Sequence, residues 1–183
     1  MRLFTGLDLP VEVVAEIEKT VRQLKPAAKI QWSPPANLHV TTKFIGHWPE
    51  QRLEELKAAL AGLPGRSPIQ ATIRGLGFYP NPRAPRVFWC GIEAPGLADL
   101  AADTDTATGV LGIEREKRPY SPHLTLARIK APSELKPLHD AVARLESLEF
   151  GSFQAASFFL YQSAPRPGGS VYTKLAEFPL HKS

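Results

Sequence analysis

Two stretches of alternating character, residues 37–46 (NLHVTTKFIG) and 121–130 (SPHLTLARIK), constrain this chain more than any other feature. In each, a histidine and a threonine two positions apart interrupt a row of apolar or β-branched residues. Successive side chains on a strand point to opposite faces, so His39 and Thr41 share one face, about 7 Å apart along the strand. His123 and Thr125 repeat the arrangement about half a chain length later. Strict alternation puts Leu38, Val40, Thr42 and Phe44 on the apolar face and Lys43 on the histidine face. A fold that holds both copies needs two equivalent strands.

The rest of the chain supplies them in a repeated order. Residues 2–9 alternate as a strand. Asp8 and Pro10 mark a helix start, because Asp can cap free N–H groups and Pro tolerates the first turn. Val14, Ile17, Val21 and Leu24 then form the stripe of an amphipathic helix, which Pro26 ends. Residues 29–32 read as a short strand before the first motif, 49–62 as a helix closed by Gly62, and 69–78 as a strand. The second half follows suit: strand 86–92, helix 96–111, short strand 113–117, motif strand 123–129 and helix 132–147. Strands 150–162 and 171–178 close the chain around the loop 165–169. This order predicts an α+β fold of duplicated βαββαβ-like units, forming two lobes whose antiparallel sheets face each other across a central cleft.

Composition narrows the function. The chain has 183 residues, 43% hydrophobic and 22% charged, which is ordinary globular composition. An acid and a proline fall within the first ten residues, too soon for the apolar core of a secretory leader, and no apolar run is long enough to span a bilayer. Cys90 is the only cysteine, so neither an internal disulfide nor a Cys-rich zinc site is available. A cytoplasmic protein with no membrane partner is expected. The net charge of +4 permits a phosphate-bearing partner without demanding one.

Two facing strands that each carry His-x-Thr supply a proton acceptor and a proton donor, with a hydroxyl beside each. That is the equipment for in-line displacement at phosphorus. One imidazole takes the proton of an attacking water, the other protonates the leaving oxygen, and the hydroxyls hold the non-bridging oxygens. Histidine suits both roles, with an unperturbed pKa of about 6.5. The other use for two histidines is a metal, which needs a third ligand. His47 reads as a turn residue and His139 and His181 as solvent-exposed, so no metal and no cofactor are expected.

With these motifs, and with RLFTGLDLP, WSPPANLHVTTKFIG, RPYSPHLTLARI and FFLYQSAPRPGGSVYTKLAEFPL around them, the chain resembles the 2H phosphoesterase superfamily over nearly its whole length. Within it, the likeness is to the RNA 2′,3′-cyclic phosphodiesterases, formerly called 2′-5′ RNA ligases. The resemblance implies one bilobal domain over residues 1–183 with no metal requirement; a monomer is expected. It implies hydrolysis of a terminal 2′,3′-cyclic phosphate on RNA, or of a small cyclic nucleotide, to a 2′-phosphomonoester. By the family's assignment, His39 is the proton donor to the leaving O3′ and His123 activates water. Thr41, Thr125 and Arg128 bind the substrate. The reverse reaction joins a cyclic end to a 5′-hydroxyl as a 2′-5′ linkage. The alternatives are a 2H enzyme for another small cyclic phosphate or a 2′-5′ oligonucleotide, and a non-catalytic RNA-end binding module.

Arg128 tests the geometry of its strand. Strict alternation puts it on the face opposite His123, so either the strand twists or bulges or Arg128 reaches around its end. Lys43 and Arg118 are further candidates for backbone phosphates, and Phe4, Tyr120 and Tyr161 for stacking on a base.

Overall fold

The computed structural model describes residues 1–131 and 134–182. Nine strands and four helices appear among them, in the order β1 (Arg2–Leu7), α1 (Val11–Leu24), β2 (Gln31–Trp32), β3 (Val40–His47), α2 (Leu53–Ala61), β4 (Ile69–Tyr79), β5 (Val87–Glu93), α3 (Leu97–Val110), β6 (His123–Arg128), α4 (Lys136–Ala143), β7 (Glu149–Ala155), β8 (Ser157–Arg166) and β9 (Gly169–Pro179). The fold is α+β, with two antiparallel sheets.

The sheets run β3-β1-β8-β9 and β2-β6-β5-β4-β7. The duplication is visible in this order. In the first sheet β1 lies between its motif strand β3 and β8; in the second, β5 lies between its motif strand β6 and β4. The two halves exchange strands, since β4 comes from the first half and β8 from the second. The predicted strand 150–162 therefore divides at Ala156, and β7 and β8 go to different sheets.

Helices α2 and α3 pack together, with α3 against β3, while α1 packs on β7 and α4. In β1, Leu3, Thr5 and Leu7 are buried with almost no exposure, and Phe4 and Gly6 point to the other face. A one-residue slip would carry Leu3 and Leu7 to the wrong side, at about 1.5–3 kcal/mol each, so the register of β1 is strongly specified. Gly6 adds a steric constraint: a Cβ there would stand 2.6 Å from the Val40 carbonyl oxygen. One apolar core draws on both sheets, with Leu3, Leu7 and Val40 from the first and Phe88, Cys90 and Leu124 from the second.

Several local expectations need correction. Val13, not Val14, is the buried residue of the first turn of α1. Asp8 does not cap that helix: its Oδ1 accepts the Leu9 N–H and its Oδ2 faces Lys174 Nζ at 2.5 Å. Residues 113–117 form no strand. The last helix spans only Lys136–Ala143; Pro132 and Ser133, where it was expected to begin, lie outside the described residues.

Candidate active site

The motif strands sit in different sheets, yet residues of β3 and β6 approach within 8 Å between Cα atoms. His39 stands just ahead of β3 and His123 opens β6. The two imidazoles are anchored alike. Nδ1 of His39 donates to the Asn37 carbonyl at 2.7 Å, and Nδ1 of His123 to the Ser121 carbonyl at 3.0 Å. A carbonyl can only accept, so each Nδ1 carries a hydrogen and each Nε2 is the nitrogen that exchanges a proton. His39 Nε2 lies 2.8 Å from the Thr41 hydroxyl oxygen.

Neither motif strand keeps strict alternation. Between β1 and β3 the pairing steps from Thr5 with Lys43 to Gly6 with Thr41, leaving Thr42 as an extra residue. Between β5 and β6 it steps from Phe88 with Ala127 to Trp89 with Thr125, leaving Leu126 extra. A bulge of this kind reverses the parity of the residues after it. Thr42 and Lys43 are therefore both buried, as are Leu126 and Ala127. Thr42 hydrogen-bonds Thr5, hydroxyl to hydroxyl, at 2.6 Å, the local partner its burial requires.

The bulges correct two placements and settle a third. Lys43 does not share the histidine face: it is 2% exposed, with its ammonium 2.7 Å from both Asp105 Oδ1 and the Glu114 carbonyl. Phe44 is not on the buried face: it is 61% exposed and pairs with Phe4 on the side of His39. Arg128 stands where Phe44 does in the other copy, so it returns to the face of His123 and Thr125. Its guanidinium is exposed and makes no hydrogen bond or ion pair among the described residues.

Asp105 is the hub behind β3. Burial alone would raise its pKa, but Lys43, Arg115 Nε at 2.6 Å and the Glu116 N–H at 3.0 Å outweigh burial and bring it down to about 2. These contacts explain why residues 113–117 are not a strand. Their polar backbone is held by Lys43 and Asp105 instead of a ladder.

His39 lies in an aromatic nest. Its ring centroid is 4.6 Å from Phe4 and 5.0 Å, edge-on, from Tyr172, and Tyr161 stacks on Phe4 at 4.9 Å. Burial lowers the His39 pKa below its ordinary value, opposed by the Asn37 carbonyl and by the charge of Asp8. A neutral imidazole is thus favoured. His123 is exposed. A cavity of about 390 Å³ opens beside His39, lined among others by Asp8, Leu38, Tyr161, Tyr172 and Lys174. Tyr172 and Lys174 were missed in the sequence. Their strand was legible, but nothing in it indicated which sheet or which face would carry them.

The remaining candidates fall into place. Phe4 and Tyr161 are buried, as part of this aromatic wall. Tyr120 is half-buried and donates its hydroxyl to the Thr41 carbonyl at 2.7 Å. Arg118 is exposed and bonds the Tyr79 hydroxyl at 2.8 Å. His47 and His181 are exposed, but His139 is half-buried against Phe78 at 4.6 Å, contrary to expectation. Among the described residues, no three His, Cys, Asp or Glu side chains are grouped to hold a metal ion. Burial pushes the Cys90 thiol up to about 12, which leaves it protonated and inert as a nucleophile.

Two imidazoles, each tied back to a carbonyl and followed two positions later by a threonine, thus stand at the start of equivalent bulged strands in the two halves. The sequence profile described as LigT like Phosphoesterase matches the chain twice, over residues 7–89 and 92–172, once in each half. The chain is 33% identical to an RNA 2′,3′-cyclic phosphodiesterase of Methanocaldococcus jannaschii, over 97% of this chain and 100% of that protein. It is 34% identical to one of Methanothermobacter thermautotrophicus, over 98% and 99% of the two chains. A crystal structure of a Thermus thermophilus protein superposes with a TM-score of 0.82, at 33% identity over 100% of this chain and 99% of that one. The chain belongs to the LigT-like phosphoesterase family.

Proposed function

We propose that this protein hydrolyses the 2′,3′-cyclic phosphate at the end of an RNA, or of a small cyclic nucleotide, to a 2′-phosphomonoester. The observation that carries the reading is the twin anchoring of His39 and His123, each with Nδ1 on a backbone carbonyl, which makes Nε2 the basic nitrogen, in His39 beside the Thr41 hydroxyl. The names of the full-length relatives support the substrate class.

In this reading His123 Nε2 takes a proton from water as the water oxygen attacks phosphorus. The P–O3′ bond breaks, and His39 Nε2–H delivers its proton to O3′. The Thr41 and Thr125 hydroxyls donate to the non-bridging oxygens, and Arg128 offsets their charge. No metal takes part. Burial holds His39 neutral in the empty enzyme, which works against an acid; the anionic substrate against Nε2 opposes this and favours the imidazolium. The nucleoside occupies the cavity beside His39, whose rings offer stacking surface. With a 5′-hydroxyl in place of water, the same groups join two RNA ends through a 2′-5′ linkage. Residues 1–183 act as one bilobal domain, a cytoplasmic monomer.

The test is product analysis on a short RNA ending in a 2′,3′-cyclic phosphate, with EDTA present. Conversion to the 2′-phosphate is expected. A 3′-phosphate product would refute the assigned bond cleavage, and salt-sensitive RNA binding without turnover would favour an RNA-end binding module.

A further inference from the structure

Tyr120 ties the first motif to the second. Its hydroxyl donates to the Thr41 carbonyl at 2.7 Å across 79 positions of sequence. The next residue, Ser121, provides the carbonyl that orients the His123 imidazole. The residue that holds Thr41 and the residue that holds His123 are therefore adjacent in the chain.

The stretch between α3 and β6 is pinned to β3 a second time. Lys43 Nζ donates to the Glu114 carbonyl at 2.7 Å, and Asp105, which Lys43 binds, accepts the Glu116 N–H. The two pins, at Thr41 and Lys43, straddle the bulged residue Thr42. A bulge interrupts the ladder and bends its strand. The Tyr120 hydroxyl gives the backbone there a fixed partner, one residue from the bulge and on the threonine whose hydroxyl meets His39. The first half has no counterpart, because Ala36 occupies the place three residues ahead of His39.

We infer that Tyr120 is a positioning residue: through its hydroxyl on the Thr41 carbonyl, it sets the placement of Thr41 and His39 relative to His123. The inference rests on the proposed two-histidine chemistry. Tyr120 touches no reacting atom in it and acts only through Thr41.

Tyr120→Phe removes the hydroxyl and keeps the ring in its half-buried place. Misplacing a catalytic group by about 1 Å can cost around a hundredfold in rate. For loss of one such tether, kcat on a 2′,3′-cyclic nucleotide is expected to fall roughly tenfold, with KM within about twofold. A double-mutant cycle separates positioning from general loosening. On a Thr41→Ala background the Tyr120→Phe change should cost little more, because the hydroxyl it places is already gone. On a Thr125→Ala background its loss should multiply. A Tyr120→Phe enzyme with wild-type kcat overturns the inference, as does equal multiplication on both backgrounds or a kcat loss matched by a fall in Tm. A wild-type enzyme that fails to turn over any cyclic phosphate refutes the proposed function itself, and the inference with it.

Discussion

The two motif strands share a backbone device and differ in what surrounds it. β3 and β6 both have an unpaired residue directly after the motif threonine, with a second at Ile45 in β3 alone, and each is preceded or opened by a histidine whose Nδ1 is held two residues back. Around that frame the copies diverge. His39 is walled by Phe4 and Tyr172 and bonded to Thr41, whereas His123 is exposed. Behind the first bulge lies a charged residue, Lys43, held by Asp105; behind the second lies Ala127. Beyond the bulges, Phe44 stands opposite in role to Arg128, an exposed ring against an exposed cation. The two copies share the geometry that holds Nδ1 and presents Nε2, and their side chains give the two nitrogens different environments, which the proposed acid and base roles would need.

Perturbing the charged support of the first strand should have the largest effect on stability. Asp105→Asn leaves Lys43 buried with only the exposed Glu116 carboxylate, 3.6 Å away, as counter-charge, at about 3 kcal/mol. Denaturant unfolding would measure this, and a loss under about 1 kcal/mol would show that the copies do not differ there. The wild-type contribution has a defined sign. The folded-state pKa of Asp105 is depressed from 3.8 to about 2, so its stabilisation is present above 3.8 and is lost as pH falls toward 2. The variant should lack that dependence.

Removing one motif hydroxyl should have a smaller effect, on catalysis alone. Hydrogen bonds to charged groups are worth about 1.5–3 kcal/mol, so Thr41→Ala and Thr125→Ala are each expected to lower kcat roughly 10- to 100-fold. A larger loss at Thr41 would fit its added contact with His39; equal losses would assign both hydroxyls to phosphate alone. The smallest effect is spectroscopic. An NMR titration should find His39 losing its proton below pH 6.5 in the empty enzyme, with inorganic phosphate moving that midpoint upward. An empty-site midpoint at or above 6.5 would remove the claimed asymmetry at His39.

The sequence made the repeat, both His-x-Thr pairs and most elements legible, because periodicity and turn residues are local signals. What it concealed was set by partners. A bulge is a property of two strands in register, so alternation alone placed Lys43 and Phe44 on the wrong faces and left Arg128 undecided. A trace of it was present: Leu126-Ala127 are two consecutive apolar residues after Thr125, and the matching Thr42-Lys43 hid the pattern behind a charge. The strand predicted at 113–117 failed because Lys43 and Asp105, distant in sequence, take up its backbone groups. Tyr172 and Lys174 reach the cavity beside His39 only because β9 joins the first sheet, which no local pattern indicates.

The most direct test of the account is turnover of a 2′,3′-cyclic nucleotide by four proteins: wild type, His39→Ala, His123→Ala and the double variant. If the two imidazoles work as one acid–base pair, each single change should lower kcat by about 10²–10⁴-fold, and the double change should cost little more than either. A single variant that retains wild-type kcat, or a double variant whose loss is the product of the two, would contradict it.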